Sequence, residues 1–384
     1  MNVFIKILIG CVMIKMTGSC VESKVENLRI DWDSVELPKD QNGVAHQGLA
    51  GPVVGTIGDC VIIGGGANFP EGMPWEGGRK QYHTSFYIYK WNGRQLEYQK
   101  RDELPFVIGY AASCSWEDSV YFAGGEDEGG PLKTVYRVGL MSDLSLALDT
   151  LPDLPFAVSN AALSCVEGTL YLIGGDGEKM TSDRVLKLDI KESNSWQEIG
   201  RLPEALSNTV SGVYGTDIYI AGGRRKVEGD ISPFSNRLYV FDTKENVVEK
   251  RSDMPRALAA AVGMVYGDQF LVFGGDTGDT FHQVEQLIFE AANTVDSSTR
   301  SRKIEQKNAL QIGHPGFSKQ QLVYSMEEDL WKILPIDFPF AMPVTTTAIV
   351  LDENTVILPS GEVKAGVRTD NIYIGRLKEQ RKKI

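Results

Sequence analysis

Short runs of apolar, β-branched and aromatic residues recur along the chain, and most of them end at a pair of glycines. A Leu-Pro or Met-Pro pair precedes each regular run, separated from it by small residues and a turn. This alternation of turn residues and short apolar runs is typical of β-strands joined by tight turns. The most regular glycine pairs are Gly124-Gly125, Gly174-Gly175, Gly222-Gly223 and Gly274-Gly275.

Two less regular copies extend the repeat toward both ends of the chain. One ends at Gly64-Gly65, and in the other Pro359-Ser360-Gly361 replaces the glycine pair. About 50 residues accommodate four strands with their turns, which is one blade of a β-propeller. The sequence therefore predicts an all-β protein with six blades. The prolines of the regular copies, Pro105, Pro155, Pro203 and Pro255, are 50, 48 and 52 residues apart.

The two ends of the chain predict how the ring of blades closes. The segment after Pro339 is long enough for three strands and a tail. Residues 28–35 precede the first Leu-Pro pair and resemble a fourth strand without a blade of its own. Pairing them with the last blade would leave no sheet edge open. We therefore expect one propeller domain over residues 28–384, closed by an N-terminal strand that completes the last blade.

Two insertions interrupt the repeat. Apolar residues at about 280–318 recur at near-helical spacing, which predicts a helical cap over one mouth, with residues 294–307 polar and mobile. We interpret His282 and His314 in this insertion as surface or packed histidines. The other insertion is at 70–82. Either its residues Trp75, Arg79, Lys80 and Tyr82 form one wall of a binding site, or the loop packs against its own aromatic residues.

The first 20 residues have the features of an export signal. Lys6 is followed by an apolar run too short to span a bilayer, and small residues lead to Cys20. We predict a signal peptide over residues 1–20, a linker over residues 21–27 and export to the periplasm. Cys20 is either a lipid-attachment site that anchors a lipoprotein to the membrane or an ordinary residue near a secretion cleavage site.

Charge and cysteine content narrow the classes of function. The formal net charge of −12 disfavours nucleic acid as a partner, because such a surface repels phosphate backbones. Three cysteines remain after residue 20, an odd number that excludes a complete disulfide framework. The chain has no Cys-x-x-Cys or His-x-x-x-His spacing, so we expect no metal site. It also has no Walker loop and no dinucleotide fingerprint, and we expect no organic cofactor.

The residues that directly follow the glycine pairs are candidates for a binding site. Loops of all blades converge on the mouths of a propeller's central channel, so these residues should lie around one mouth. Their mixture of carboxylates and arginine suits a polar ligand. For Asp176 and Asp276 we favour a turn-forming role, because Asp stabilises tight turns locally. The six residues are Gly66, Glu126, Asp176, Arg224, Asp276 and Glu362.

Two stretches resemble the bacterial N-acetylneuraminate mutarotase (epimerase) family, whose members are six-bladed Kelch-type propellers. The first runs over residues 63–70 and continues through residues 78–82 to residues 89–93. The second, residues 360–370, contains a Gly-Glu-x-Lys-x-Gly-x-Arg-Thr-Asp run that the family shares. The resemblance covers nearly the whole chain after the signal segment, with the blades in cyclically permuted order.

The resemblance implies an isomerase that interconverts the α and β anomers of N-acetylneuraminate, a sialic acid, by acid/base-assisted ring opening and closure. It assigns proton transfer to Glu362 and a place in the same catalytic site to Arg368. Because the anomeric carbon of this sugar carries a carboxylate, Arg368 is our first candidate to bind it and Arg224 our second. The other predicted substrate-binding residues are Asn68, Arg79, Lys80, Tyr82 and Glu126.

Two other functions stay open at this point. A non-catalytic propeller could bind a glycan or a protein through the same mouth, although the intact run from Glu362 to Arg368 disfavours it. A sialidase would be expected to contain Ser-x-Asp-x-Gly-x-x-Trp repeats, which this sequence lacks. The oligomeric state does not follow from the sequence.

Overall fold

Each sequence repeat folds into one four-stranded antiparallel sheet. The computed structural model describes residues 28–335 and 337–379 and contains six such sheets, the first of which has an additional short strand. In each sheet the second strand is the apolar run that precedes the glycine pair, and it is buried almost throughout. The predicted all-β, six-bladed propeller is confirmed. The predicted signal peptide, Cys20 and the linker lie outside the described residues.

The blades follow one another along the chain, and each sheet is numbered in chain order. The N-terminal strand is β1 (Leu28–Glu36). Blade 1 contains β2 (Ala50–Ile57), β3 (Cys60–Asn68), the short β4 (Gln81–Tyr82), β5 (Ser85–Trp91) and β6 (Leu96–Glu103). Blade 2 contains β7 (Ala112–Trp116), β8 (Ser119–Ala123), the hairpin strands β9 (Glu126–Asp127) and β10 (Gly130–Pro131), β11 (Val135–Leu140) and β12 (Leu146–Leu151). Blade 3 contains β13 (Ala162–Val166), β14 (Thr169–Ile173), β15 (Arg184–Asp189) and β16 (Gln197–Arg201).

The second half of the ring has the same order. Blade 4 contains β17 (Val210–Tyr214), β18 (Asp217–Ala221), β19 (Leu238–Asp242) and β20 (Val247–Lys250). Blade 5 contains β21 (Val262–Tyr266), β22 (Gln269–Phe273), helices α1 (Asp279–Asn293) and α2 (Ser297–Ile312), β23 (Gln321–Ser325) and β24 (Leu330–Ile333). Blade 6 contains β25 (Ile349–Asp352), β26 (Thr355–Pro359), the hairpin strands β27 (Glu362–Lys364) and β28 (Val367–Arg368), and β29 (Asn371–Glu379).

The N-terminal strand closes the ring, as predicted. Strand β1 pairs antiparallel with β29, from Leu28 opposite Glu379 to Glu36 opposite Asn371, and thereby becomes the outermost strand of blade 6. Its Trp32 packs against the aromatic rings of Phe273, Phe338 and Phe340. Because Phe273 belongs to blade 5, this strand joins the first residues of the fold to two blades at once.

A closed ring of backbone hydrogen bonds surrounds the central channel. One residue in each blade has a left-handed conformation, with φ between 52° and 61°. Its N–H donates to the carbonyl oxygen of the equivalent residue in the preceding blade, at N···O distances from 2.7 to 3.3 Å. These bonds fix the six blades in register at one mouth. We call these residues the backbone ring: Gly51, Tyr110, Asn160, Asn208, Ala260 and Thr345.

The glycine pairs lie where each blade meets the next one. Gly124 and Gly125 have φ of 62° and 95°, and the Gly125 N–H donates to the Val158 carbonyl oxygen at 2.8 Å. A Cβ on Gly124 would lie 2.1 Å from the same oxygen. The glycines are therefore required both by the left-handed conformation and by the close approach of the neighbouring backbone. In blade 6 the buried Ser360 (φ 54°) takes the first position of the pair.

The insertion of blade 5 forms two helices, α1 and α2, that pack against each other. Residues 294–307, interpreted from the sequence as polar and mobile, belong largely to α2. This helix begins at a side-chain cap, because Asp296 accepts a hydrogen bond from the Thr299 N–H at 2.7 Å. The sequence interpretation overlooked this capping signal. Among the described residues, neither these helices nor any other has the length and apolar character needed to cross a membrane.

Candidate active site

Five of the six residues that follow the glycine pairs lie around one mouth of the channel. Each forms an antiparallel bridge with the residue before a member of the backbone ring. In the order of the blades, Asp176 and Glu362 come from opposite sides of the ring. We call this end of the channel the ring mouth. The bridged pairs are Gly109–Glu126, Ser159–Asp176, Ser207–Arg224, Ala259–Asp276 and Val344–Glu362.

Glu362 and Arg368 face each other across the hairpin β27–β28 at the ring mouth. The turn of the hairpin brings the Gly366 N–H to Glu362 Oε1, which accepts a hydrogen bond at 2.9 Å. The other oxygen, Glu362 Oε2, lies 3.5 Å from Arg368 Nη2. The motif seen in the sequence thus brings a carboxylate and a guanidinium together, and the backbone holds one carboxylate oxygen in place.

The Arg368 guanidinium is buried but incompletely satisfied. Its side chain is 4% exposed, and its Nε and Nη1 atoms have no hydrogen-bond partner in the described part of the chain. The Phe69 ring lies 4.6 Å from the guanidinium carbon, and the Tyr110 phenol lies close to the guanidinium. An unsatisfied buried polar group destabilises a fold by about 1–3 kcal/mol. Such a group at a mouth is suited to an anionic ligand.

The first insertion covers the hairpin. A short 3₁₀ turn, Pro74–Glu76, places the Trp75 ring and the Met73 sulfur each 3.2 Å from the point where a Cβ on Gly366 would lie. Gly366 has φ of 76° and is the residue whose N–H holds Glu362. Blade 1 therefore supplies a cover for the carboxylate–guanidinium pair of blade 6.

Lys80, Tyr82 and Glu126 form a second cluster beside this pair. The Lys80 ammonium lies 2.9 Å from Glu126 Oε1, and the Tyr82 hydroxyl donates to the same oxygen at 2.7 Å. Burial alone would lower the pKa of Lys80, but the adjacent Tyr110 phenol and the Glu126 carboxylate raise that pKa above its usual range. Burial and the hydrogen bond to Glu126 raise the pKa of Tyr82 to about 12. The cluster therefore holds Lys80 in an ion pair with Glu126, which the Tyr82 hydroxyl supports.

Asn68 and Arg79 have different environments. Asn68 is buried: its amide donates to the Gly48 carbonyl oxygen at 2.9 Å, and its side-chain oxygen lies 2.8 Å from His83 Nε2. These contacts use both ends of the amide, so Asn68 supports the wall of the site. Arg79 is exposed, and among the described residues it forms no ion pair. It remains free to contact a ligand or solvent.

Arg224 is already paired within the protein. Its Nη2 donates to Asp176 Oδ2 at 2.7 Å, and Asp176 also accepts a hydrogen bond from the Thr181 hydroxyl at 2.7 Å. The Asp176 side chain is 7% exposed and that of Arg224 is 19% exposed. The Phe281 ring of α1 lies 5.9 Å from the Arg224 guanidinium. Asp176 therefore does more than form a turn: it holds an arginine between blades 3 and 4.

Tyr110, which the sequence analysis did not select, lies between the clusters. The Lys80 ammonium is 5.0 Å from the centre of the Tyr110 ring, and Arg368 and Glu362 lie near the hydroxyl. Burial raises the pKa of the Tyr110 phenol, and the two cations act in the opposite direction. A signal was present in the sequence, because the equivalent positions of the repeat hold smaller residues or Asn.

His314 also lies closer to the site than its sequence context indicated. Its Nδ1 accepts a hydrogen bond from the Gly316 N–H at 3.0 Å, so in the neutral ring the proton is assigned to Nε2. Burial lowers the pKa of His314, while the nearby Asp276 and Glu362 carboxylates oppose that shift. Asp276 accepts a hydrogen bond from the Gly278 N–H at 2.8 Å, which fits a turn-forming role.

The channel itself is a separate space. A cavity of about 460 Å³ occupies it, lined mainly by small and hydroxyl-bearing side chains of the innermost strands. Tyr110 lines this cavity as well and so lies where the channel meets the ring mouth. In the described part of the chain, no group of three or more His, Cys, Asp or Glu side chains is arranged to hold a metal ion.

Comparison with known proteins identifies relatives for a large part of the chain. The family model for N-acetylneuraminate epimerase matches residues 151–383, a range that includes the Glu362–Arg368 motif. The N-acetylneuraminate epimerase of Vibrio cholerae serotype O1 is 28% identical over 185 residues, covering 47% of this chain and 48% of that protein. The one from Pasteurella multocida is 31% identical over 119 residues, covering 28% of this chain and 31% of that protein.

A third relative matches a similar share of the chain. The N-acetylneuraminate epimerase of Haemophilus influenzae (strain PittEE) is 25% identical over 200 residues, covering 50% of this chain and 52% of that protein. The chain thus spans about half the length of such curated relatives. The permuted order of the blades stays a prediction. The match of the family model over more than half of the chain, together with the six-bladed fold, shows that this protein belongs to the N-acetylneuraminate epimerase family.

Proposed function

We propose that the protein interconverts the α and β anomers of N-acetylneuraminate at the ring mouth. The observation that carries this proposal is the buried Arg368 guanidinium, with two nitrogens unpaired among the described residues, beside the backbone-held carboxylate of Glu362. These two residues occupy the positions at which the sequence resembles the mutarotase motif. The relatives named above are called N-acetylneuraminate epimerases, which supports the choice of substrate.

The reaction needs little chemical machinery. The anomeric hydroxyl loses a proton while the ring oxygen gains one, and the bond between the anomeric carbon and the ring oxygen breaks. The open-chain ketone rotates, and the ring closes on the other face of the carbonyl. Glu362 is the proposed base that takes the anomeric proton and returns it at closure. A positioned acid or base of this kind contributes about 10²–10⁴-fold to a rate.

Arg368 is the proposed anchor for the sugar carboxylate. A guanidinium binds a carboxylate through charge-assisted hydrogen bonds and fixes its orientation. Because Nε and Nη1 are buried, the carboxylate can reach them when the Phe69 ring over the guanidinium moves aside, together with Met73 and Trp75, which lie over the adjacent hairpin turn at Gly366. Lys80, in its ion pair with Glu126, is a second cation on the same side of the mouth.

Arg224 is a weaker candidate for the carboxylate than the sequence analysis suggested. Its guanidinium is committed to Asp176 at 2.7 Å, and displacing it would leave a buried carboxylate without its cation. We assign Arg224 a supporting role on the opposite side of the mouth. Arg79, Lys80, Tyr82 and Glu126 remain proposed substrate contacts, and Asn68 supports the wall behind them.

One-dimensional proton NMR tests the proposal directly. The α-anomer, freshly released from a glycoside, is followed near neutral pH with the protein, without it, and with Glu362→Ala. Glu249→Gln, an exposed carboxylate on strand β20, is the matched control. We expect the protein and the control to accelerate α-to-β conversion and Glu362→Ala to lose most of that acceleration. A rate equal to the spontaneous one would refute mutarotation, and broadened sugar signals without acceleration would indicate a binding module.

A further inference from the structure

Tyr110 has an unusual backbone conformation for its residue type. It belongs to the backbone ring with φ of 55°, a left-handed conformation that is strained for a bulky residue. Asn and Gly tolerate this conformation, and they occupy three of the equivalent positions. A smaller or more tolerant residue would serve the ring equally well. Strain at a ring position that borders the mouth points to a role for the side chain.

The Tyr110 hydroxyl retains its proton for a ligand. The charged side chains around it are Arg368, Lys80, whose ammonium is 5.0 Å from the ring centre, and Glu362, the proposed base. The two cations are donors without an acceptor atom, so they can contact the phenol oxygen but cannot accept its hydrogen. They also stabilise negative charge on that oxygen. Tyr110 is therefore equipped to give up a proton and to take it back.

Tyr82 provides an internal contrast. It lies beside the same lysine, 5.2 Å from the ammonium to the ring centre. Its hydroxyl, however, donates to Glu126 Oε1 at 2.7 Å. That hydrogen is already used, and loss of the proton would place a phenolate against a carboxylate. Two tyrosines near one lysine thus differ in whether the hydroxyl proton is available.

We propose that Tyr110 is the second catalytic group of the reaction, the one that donates a proton to the sugar ring oxygen. The proposal rests on the mutarotase function proposed above. During opening, Glu362 takes the anomeric proton, the bond from the anomeric carbon to the ring oxygen breaks, and the ring oxygen receives the Tyr110 proton. The products are the open-chain ketone, protonated Glu362 and a phenolate beside Arg368 and Lys80. Closure on the other face reverses both transfers, so no proton is gained or lost.

The test compares Tyr110→Phe with Tyr82→Phe in the NMR assay of α-to-β conversion. Each variant lacks a single hydroxyl. We expect Tyr110→Phe to be slower by about 10²-fold in kcat with little change in KM, and Tyr82→Phe, at a proposed substrate contact, to change KM with little change in kcat. Tyr110→Asn, the residue found at two equivalent ring positions, is a second variant whose backbone tolerates this conformation. It should fold and be similarly slow.

The pH dependence separates proton donation from a structural role. A donor must be protonated, so the catalysed rate, after subtraction of the spontaneous rate, should fall as the pH rises through the pKa of Tyr110. This alkaline limb should vanish in Tyr110→Phe. Replacement of Tyr110 alone by a fluorinated tyrosine, whose phenol is more acidic, should move the limb to lower pH.

The outcomes are distinct. If the unmodified protein accelerates conversion and Tyr110→Phe does so equally well, the role of Tyr110 is wrong and mutarotation stands. An alkaline limb that persists in Tyr110→Phe, or that does not move with the fluorinated residue, would also overturn it. If the unmodified protein leaves the spontaneous rate unchanged, both proposals fail.

Discussion

Two arginine–carboxylate pairs contribute to the same mouth, one in blade 6 and one shared by blades 3 and 4. In the first, Arg368 Nη2 lies 3.5 Å from Glu362, and two guanidinium nitrogens are buried without a partner among the described residues. In the second, Arg224 lies 2.7 Å from Asp176, which the Thr181 hydroxyl also contacts. The second pair satisfies its carboxylate within the protein, while the first leaves its guanidinium available.

The repeat thus determines where these side chains lie but not which role each one has. Glu362, Asp176 and Arg224 all follow a glycine-pair position and form the same backbone bridge to the ring mouth. What separates them is the side-chain partner that each blade supplies. The Arg224–Asp176 pair stabilises the contact between blades 3 and 4. In the Glu362–Arg368 pair, the guanidinium still has nitrogens that can bind a ligand.

Replacing Glu362 by its amide should have the largest effect on the catalysed rate, and the same replacement of Asp176 is the comparison. Glu362→Gln removes the proposed base and should lower the catalysed rate by about 10²–10⁴-fold. Asp176→Asn removes an equivalently placed carboxylate that takes no part in the proposed chemistry, so the rate should be retained while the melting temperature falls. Mutarotation rates and thermal unfolding of both variants provide the measurement. Equal losses of rate would remove the distinction between the pairs.

The free energy of unfolding should depend more on Arg224 than on Arg368. Arg224→Met leaves the buried Asp176 carboxylate without its cation and should lower the free energy of unfolding by about 3 kcal/mol. Arg368→Met removes a buried guanidinium that is incompletely satisfied, and Glu362 keeps its bond to the Gly366 N–H. We expect this second variant to unfold at the same temperature or higher, with activity lost. Marked destabilisation by Arg368→Met would show that the guanidinium is satisfied in solution.

Affinity for the sugar should depend on one arginine more than on the other. Arg368→Lys keeps the charge but loses the planar geometry that suits a carboxylate, so KM should rise about 10-fold or more. Arg224→Lys should leave KM nearly unchanged. Saturation kinetics by NMR with both variants decide between the two arginines. A larger rise for Arg224→Lys would reverse their assignment.

The smallest effect is expected at His314. Burial lowers the pKa of this histidine, so it is neutral near pH 7, and His314→Gln changes no charge there. The variant should retain the rate within a few-fold, and the profile between about pH 6.5 and 8 should keep its shape. A new or missing limb in that range would indicate that His314 transfers a proton.

The features that recur in every blade were predicted from the sequence, because six copies of the same pattern indicate one common structure. The glycine pairs, the strand that precedes them and the closing strand β1 follow from periodicity and from the need to leave no open edge. Periodicity did not predict helix α2, because its residues are polar and its stability depends on the Asp296 cap and on packing against α1. The cap could be predicted from the sequence, but the packing of the two helices could not.

The site was predicted in part for a similar reason. The motif brought Glu362 and Arg368 together, and the order of the blades brought Arg224 to the same mouth. Which arginine is satisfied depends on Asp176 and Thr181, whose contacts exist only after the blades assemble. Tyr110 lies far from the motif along the chain and reaches Arg368 because blades 1, 2 and 6 are neighbours in the closed ring.

A crystal structure of the protein with N-acetylneuraminate would show whether Glu362 and Arg368 form the active site. We expect the sugar at the ring mouth, its carboxylate about 2.8 Å from nitrogens of Arg368, and the residues around Trp75 displaced to admit it. Glu362 should lie beside the anomeric hydroxyl, and the Arg224–Asp176 pair should remain intact. A carboxylate bound to Arg224, or a sugar bound away from the ring mouth, would contradict the assignment of Glu362 and Arg368 as the active site.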